Sequence, residues 1–213
     1  MGLKALLLDR PLISRRQILA GMATAVAIGI SPPSAASTIT KARGISPGLL
    51  DDALNAFDRH RAVIQHRDYI GIADFSLPSW KPRFHIVNLE DGQSRSFLVA
   101  HGRGSDPAHQ GWLQRFSNLP GSSATSSGAY LTGSDYQGQH GLSQRLTGLD
   151  PDNSNAAVRA IVIHSAWYVS HKMIDDHGKL GRSEGCFAFD EADLSAVMSR
   201  LKAGRMIYAA KPA

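Results

Sequence analysis

The sequence predicts a β-rich α+β domain, with a helix-containing segment ahead of the strands and a helix near the C-terminus. Three observations carry that expectation. Twenty glycines and ten prolines in 213 residues supply many turns, which favours strands over a helix bundle. "RFHIVNL" and "SRSFLVA" alternate apolar and polar residues on either side of Asp91-Gly92, a hairpin signal. Helix signals stand out in two stretches, one near residue 50 and one near residue 195. A hydrophobic fraction of 43% with 19% charged residues suits a packed chain rather than a disordered one.

The elements follow in order. In "SPGLLDDALNAFDRHRAVI", Ser46 is suited to cap a helix and Pro47 to its first turn, with Asp51 and Asp52 near the positive end of the dipole. Leu49, Leu50, Ala53, Leu54 and Phe57 recur at three-to-four spacing and make one apolar face. "YIGIADFS" reads as a strand, and the hairpin follows it. From His101 to Gly128 the chain is loop-like, and a stretch of that length without regular structure is usually functional or disordered. "GAYLTG" and "AVRAIVIH" read as further strands. Asp190 caps a helix running through Lys202, Gly204 closes it, and "RMIYAA" forms a last strand. No internal repeat is present.

The first 36 residues have a different character. Lys4, Arg10, Arg15 and Arg16 precede the apolar run "ILAGMATAVAIGI", and Ser34-Ala35-Ala36 offers small residues for cleavage. That is the plan of an export leader, with an uncleaved anchor as the alternative. The run is short and rich in glycine and alanine for a transmembrane helix. Its paired arginines, in "SRRQIL", resemble a twin-arginine signal. The expected organisation is therefore a leader over 1–36 and a single domain over 37–213, divided into a helical segment (37–70) and a core (71–213). The leader holds a net +3 of the chain's formal +5, which leaves about +2 for the rest. Nothing in that charge, and no basic block with interleaved aromatics, points to nucleic acid.

Cys186 is the only cysteine, so within one exported chain it has no disulfide partner. A lone thiol serves as core filler, metal ligand, redox sensor or nucleophile. As a nucleophile it needs a base, because an unperturbed thiol is only a few per cent ionised at neutral pH. Among nine histidines, His164 stands out at the end of the most apolar strand candidate, where packing fixes its ring. Gly185 lets the backbone come close to a substrate carbonyl, and amides in such a turn suit an oxyanion. Zinc is the rival reading: His101, His109, His140, His171 and His177 are available from loops, but neither CxxC nor HExxH occurs.

At these residues the chain resembles a known family. "IVIHSAWYVS" followed by "GRSEGC" resembles the core of the L,D-transpeptidases, cysteine enzymes that cross-link bacterial peptidoglycan. Their signature is a histidine in His-Ser-Ala or His-Gly context, then a variable span, then Ser/Thr-His-Gly-Cys. His164-Ser165-Ala166 matches the first part; Ser183, Gly185 and Cys186 match the second. "FSNLPGSSATSSGAYLTG" and "QHGLSQRLTGLD" further resemble the murein L,D-transpeptidase-like branch, and the likeness covers about Phe84 to Tyr208.

The resemblance implies a β-sandwich or barrel with Cys186 as nucleophile, His164 as base and the Ser165 carbonyl orienting the imidazole. It implies that the Gly185 and Cys186 amides help to form the oxyanion hole. Tyr130, His140, Arg182, Ser183 and Glu184 are its substrate-cleft candidates, Arg182 for a stem-peptide carboxylate. It implies no cofactor and no metal. The expected partners are donor and acceptor stem peptides of peptidoglycan, met in the periplasm or cell envelope by a monomer that touches the membrane only during export. Glu184 departs from the signature by replacing its second histidine, and a carboxylate there is expected to raise the thiol pKa. The span from His164 to Ser183 is also a few residues longer than is common, which suggests an altered loop over the cleft. The expected reaction is transpeptidation at an L,D bond, after the diamino acid or, as a variant, after the first stem residue. The rivals are hydrolysis of the same bonds, by an L,D-carboxypeptidase or amidase, and a non-catalytic wall-binding module with Cys186 in its core.

Overall fold

The computed structural model describes residues 44–212, so the expected leader lies outside the described residues. Helix α1 (Pro47–Arg59) starts where expected. The Ser46 hydroxyl accepts from the Leu49 amide, and Leu49, Leu50, Ala53, Ala56 and Phe57 are buried along one face. It ends earlier than the sequence pattern suggests, and no acidic residue falls in its first turn, so Asp51 and Asp52 sit one turn too late to meet the dipole closely.

Eight strands form one mixed sheet: β1 (Tyr69–Asp74), β2 (Phe84–Asn88), β3 (Ser94–Phe97), β4 (Gly128–Gly138), β5 (Gly141–Gly148), β6 (Val162–Ser165), β7 (Phe187–Phe189) and β8 (Met206–Ala210). Their spatial order is β3-β2-β1-β8-β4-β5-β6-β7, with β1–β8 and β6–β7 parallel and the other pairs antiparallel. The Asp91-Gly92 hairpin forms, with Gly92 at a positive φ of 73°.

The two edges of the sheet then meet. Beyond β3 the chain runs on to Ala100, which bridges Ala188 in β7, and to Gly102, which bridges Ser183. This is the barrel-like closure that the resemblance implied, and it gives the β7 edge a partner at Ala188.

One side of the sheet packs under α1, where Leu49, Leu50 and Phe57 meet Ile70, Ile72, Val87, Ala129 and Met206. The other encloses the main core, built on Phe75, Phe84, Phe97, Tyr130, Ile163, Phe187 and Phe189 and capped by Leu194, Val197 and Met198. Those last three belong to α3 (Glu191–Arg200), whose N-cap Asp190 accepts from the Ala192 amide. Gly204 is not that helix's cap; it turns the following loop at φ 85° and donates to the Thr132 carbonyl.

Several elements differ from the sequence reading. "AVRA" at the start of the expected strand is turn, and only Val162–Ser165 is strand. Strands β5 and β7 and helix α2 (His171–His177) were not expected. Strand β5 is mostly polar, β7 has three residues, and α2 has seven, so none is long or apolar enough to show a period. The signals for α2 are its ends: Ser170 accepts from the Met173 amide, and Gly178 takes the left-handed cap.

Inside the closed sheet lies a fully buried cation. Arg83 donates from Nε and Nη2 to the Val99 carbonyl (3.1 and 3.0 Å), from Nη1 to the Leu77 carbonyl (2.9 Å), and from Nη2 to His101 Nδ1 (2.7 Å). That last bond makes His101 Nδ1 an acceptor, so the proton of the neutral ring is on Nε2, 3.5 Å from Asp106 Oδ2. Asp106 is itself buried and accepts from the Gln110 and Gly111 amides at 2.9 and 2.7 Å. Desolvation pushes Arg83 down to about 9, against the pull of Asp74 and Asp106, so it remains charged at neutral pH. Burial, and then the Arg83 charge, hold His101 well below the usual histidine range.

Replacing Arg83 with Met leaves the Leu77 and Val99 carbonyls and the His101 ring nitrogen without their donor and takes the cation away from the buried Asp74 and Asp106 carboxylates. We expect a loss of about 3–5 kcal/mol in equilibrium urea unfolding. A loss below 1 kcal/mol would mean that water replaces the guanidinium.

Burial also holds His85 below its ordinary value, as it does His101. An unfolded histidine takes up a proton below about 6.5, whereas these two folded ones do so only at lower pH. The unfolded state therefore binds more protons there, and stability should fall as pH drops below about 6.5. Urea midpoints at pH 7 and pH 5 measure this; an equal or higher midpoint at pH 5 contradicts it.

Candidate active site

Strands β6 and β7 run parallel, with Ile163 opposite Phe187 and His164 opposite Ala188. Cys186 directly precedes β7. Alternation along the two strands puts Cys186 and His164 on the same face of the sheet, about one step apart. Both line a cleft of about 850 Å³, walled by the 120–123 loop, the tip of the β4–β5 hairpin, the 158–160 turn and the Ser183–Cys186 turn.

The Cys186 turn is bonded to the 101–103 segment and to itself. Its Ser183 amide donates to the His101 carbonyl at 3.0 Å, and the Arg103 amide donates to the Ser183 carbonyl at 2.8 Å. The Ser183 hydroxyl donates to the Cys186 carbonyl (2.7 Å) and accepts from the Gly185 amide (3.1 Å), closing the turn on itself. Gly185 sits at φ 118°, where a Cβ would lie 2.6 Å from the Ala124 carbonyl oxygen and 2.8 Å from Ile161 Cδ1. Gly102 abuts it closely enough that a Cβ there would fall 2.8 Å from Gly185 Cα. The close approach that requires glycine is thus to the protein's own backbone.

His164 Nδ1 lies 2.8 Å from the Ser165 carbonyl oxygen, so Nδ1 carries the proton and donates it there. Nε2 is left free to accept. Burial holds the ring below the usual histidine range; the Ser165 bond opposes this and the neighbouring His140 adds to it. His140, at the hairpin tip, stacks on His164 with ring centroids 4.4 Å apart.

The half-buried Cys186 thiol is 3.5 Å from the Ala160 carbonyl oxygen. Burial pushes its pKa up, the Val162 amide and the Arg159 charge pull it down, and Glu184 adds a smaller upward push. Glu184 is less influential than its position in the sequence suggests. Its Oε1 pairs with Arg103 Nη2 at 2.8 Å, with both side chains well exposed.

The other candidates divide. Ser183 and Arg182 line the cleft, although Arg182 Nη1 is engaged with the Asp106 and Pro107 carbonyls. Tyr130 does not line it: the residue is fully buried in the core, with its hydroxyl donating to the Ser126 carbonyl at 2.8 Å. Its strand turns it inward, so its place among the cleft residues is corrected. The Gly185 amide is also committed to the Ser183 hydroxyl, which removes it from the expected oxyanion pair.

The loop histidines weighed as zinc ligands do not gather. His101 faces Arg83, His109 lies against the Leu180 carbonyl, and no cluster of three or more His, Cys, Asp or Glu suited to a metal occurs among the described residues. Tyr136 and Tyr168 are among the uncharged cleft residues that sequence reasoning missed, and Arg159 is the charged one. Reading "AVRAIVIH" as continuous strand concealed a turn that presents it beside the thiol.

With this geometry in view, comparison with known proteins is direct. Residues 41–210 match the family model of the L,D-transpeptidase catalytic domain. The chain belongs to that family. No curated protein matches it. Among solved structures it is similar to an L,D-transpeptidase from Mycobacterium tuberculosis H37Rv (16% identity, TM-score 0.40, 68% of this chain and 58% of the other). It is similar also to an L,D-transpeptidase from Mycobacterium smegmatis (13%, 0.41, 67% and 58%). A third is the helical cell shape determining protein of Campylobacter jejuni (13%, 0.48, 79% and 58%). The chain spans under three-fifths of the length of each of these three.

In this L,D-transpeptidase domain the thiol is pushed up and the imidazole down, so at neutral pH both are uncharged at rest. Alkylation of Cys186 by iodoacetamide should therefore climb through a pKa above the ordinary thiol value, with no plateau near pH 6–7. Such a plateau would reveal a preformed thiolate–imidazolium pair and contradict this resting state.

Proposed function

We propose that the protein is an exported peptidoglycan L,D-transpeptidase working through a thioester on Cys186. The observation that carries the reading is the pairing, in one cleft, of the chain's only thiol with a histidine whose Nδ1 is tied to the Ser165 carbonyl. That tie leaves Nε2 as the base. His164 Nε2 takes the thiol proton as Sγ attacks the carbonyl on the L-residue side of an L,D bond. The Cys186 amide is the donor still assigned to the developing oxyanion. The tetrahedral adduct collapses, the C–N bond breaks, and the proton on Nε2 leaves with the D-residue amine. An acceptor amine then attacks the thioester and gives its proton to His164. The C–S bond breaks, and the thiol is restored as that proton returns to sulfur.

The neutral resting states suit this cycle. A histidine held below its usual range is unprotonated at pH 7 and ready to accept, and a thiol pushed upward needs that base. Residues 37–213 form the catalytic domain in this reading, exported behind the 1–36 leader to the cell envelope, where it acts as a monomer without cofactor. No helix among the described residues is long and apolar enough to cross a membrane. Donor and acceptor are peptidoglycan stem peptides, with attack after the diamino acid or after the first stem residue.

Mass spectrometry of muropeptides incubated with purified protein tests the reading. Cross-linked dimers are expected; shortened stems alone would make the enzyme a hydrolase, and unchanged stems would favour a binding module. Cys186→Ala should abolish turnover with an unchanged melting temperature, and His164→Ala should lose roughly 10²–10⁴-fold in rate at pH 7. Near-parental turnover in Cys186→Ala would require a different nucleophile.

A further inference from the structure

The cleft around Cys186 carries an excess of positive charge. Arg159 and Arg182 both line it, and the one carboxylate on its wall, Glu184, is already paired with Arg103. Arg159 Nη1 donates to the Ser117 carbonyl (2.7 Å) and the Ser126 hydroxyl (2.6 Å), and Nη2 donates to the Ala124 carbonyl. Arg182 Nη1 donates to the Asp106 and Pro107 carbonyls. Among the described residues neither guanidinium has a carboxylate partner.

Neutral acceptors fix a guanidinium without cancelling its charge. Arg159 has spent three of its five donor hydrogens and cannot lose its proton under ordinary conditions, so a directed cation remains. It is half-buried, which strengthens its attraction for an anion by limiting the screening of water. It lines the same cleft as Cys186, and its charge pulls the thiol pKa down.

We propose that Arg159, with Arg182 as the second cation of the cleft, forms a carboxylate-binding site beside Cys186. The ligand is a carboxylate on the carbon next to the leaving nitrogen, as in a donor peptide whose expelled residue is its C-terminal one. This assignment of the ligand rests on the transpeptidase reading; the anion site itself does not. Arg159 then selects donors by charge and holds the leaving residue while the C–N bond breaks.

Two alkylating reagents test the site without any turnover. Iodoacetate carries a carboxylate and iodoacetamide is its neutral counterpart, so the ratio of their rates at Cys186 cancels thiol ionisation. We expect that ratio to exceed the one for N-acetylcysteine by roughly tenfold, the size of one charge-assisted hydrogen bond. It should fall with added sodium chloride, collapse in Arg159→Gln, and be largely retained in Arg159→Lys. A ratio equal to that of the free thiol, or one indifferent to salt, overturns the proposal. Should Arg159→Gln fail to fold, the salt dependence of the parent protein decides alone.

Donor peptides ending in a carboxylate or a carboxamide then test the ligand. The carboxamide should raise KM in the parent protein and make little difference in Arg159→Gln. A raised, salt-sensitive ratio with no turnover of either peptide refutes the transpeptidase reading and leaves the anion site standing. Turnover with no preference in the ratio refutes the site alone.

Discussion

A single buried cation ties the hairpin edge of the sheet to the loop that carries the thiol. Arg83 spends its donors on Leu77, Val99 and His101, and the last two lie on the segment that crosses from β3 to β7. His101 passes the connection on through its backbone, since its carbonyl receives the Ser183 amide. Three residues later comes Cys186. A guanidinium suits this position because its planar fork serves several acceptors at once, and a fully buried charge persists only with such company.

Closure of the sheet sets the site's rigidity. The Gly102–Ser183 bridge and the Gly102–Gly185 contact press two backbones together where neither has room for a side chain. Ser183 adds an internal clasp with its hydroxyl. The nucleophile candidate thus sits on a turn bonded to the barrel on one side and packed against Ala124 on the other. In the proposed reaction a thiol placed this way needs little reorganisation before attack, which is where orientation lowers a barrier.

The electrostatics of the cleft correct the most conspicuous departure in the family signature. A glutamate next to Cys186 looks unfavourable for a thiolate, yet Arg103 pairs with it and solvent screens it. Meanwhile Arg159, contributed by a turn some twenty-five residues earlier in the chain, brings the opposite charge to the sulfur. The balance of charge at Cys186 is therefore a property of three segments together, and no hexapeptide contains it.

The sequence by itself determined the helix capped by Ser46, the Asp91-Gly92 hairpin, the Asp190-capped helix, the last strand and the pair of Cys186 and His164. Each of these rests on short-range chemistry: a hydroxyl three residues from an amide, alternation along one strand, a motif with fixed neighbours. Tertiary structure alone decided what depends on partners far along the chain. Tyr130 reads as an ordinary strand residue until the sheet turns it into the core. Strands β5 and β7 lack a period of their own and exist because β4, β6 and the Ala100 segment supply their hydrogen bonds. Arg83 and Arg159 look like two surface arginines in the sequence. One is buried because the Leu77 and Val99 carbonyls and the His101 ring converge on it, and the other lines the cleft of the thiol because a turn stands where local hydrophobicity suggested a strand. Burial and proximity are sums over the whole chain, and a local pattern holds only its own part of that sum.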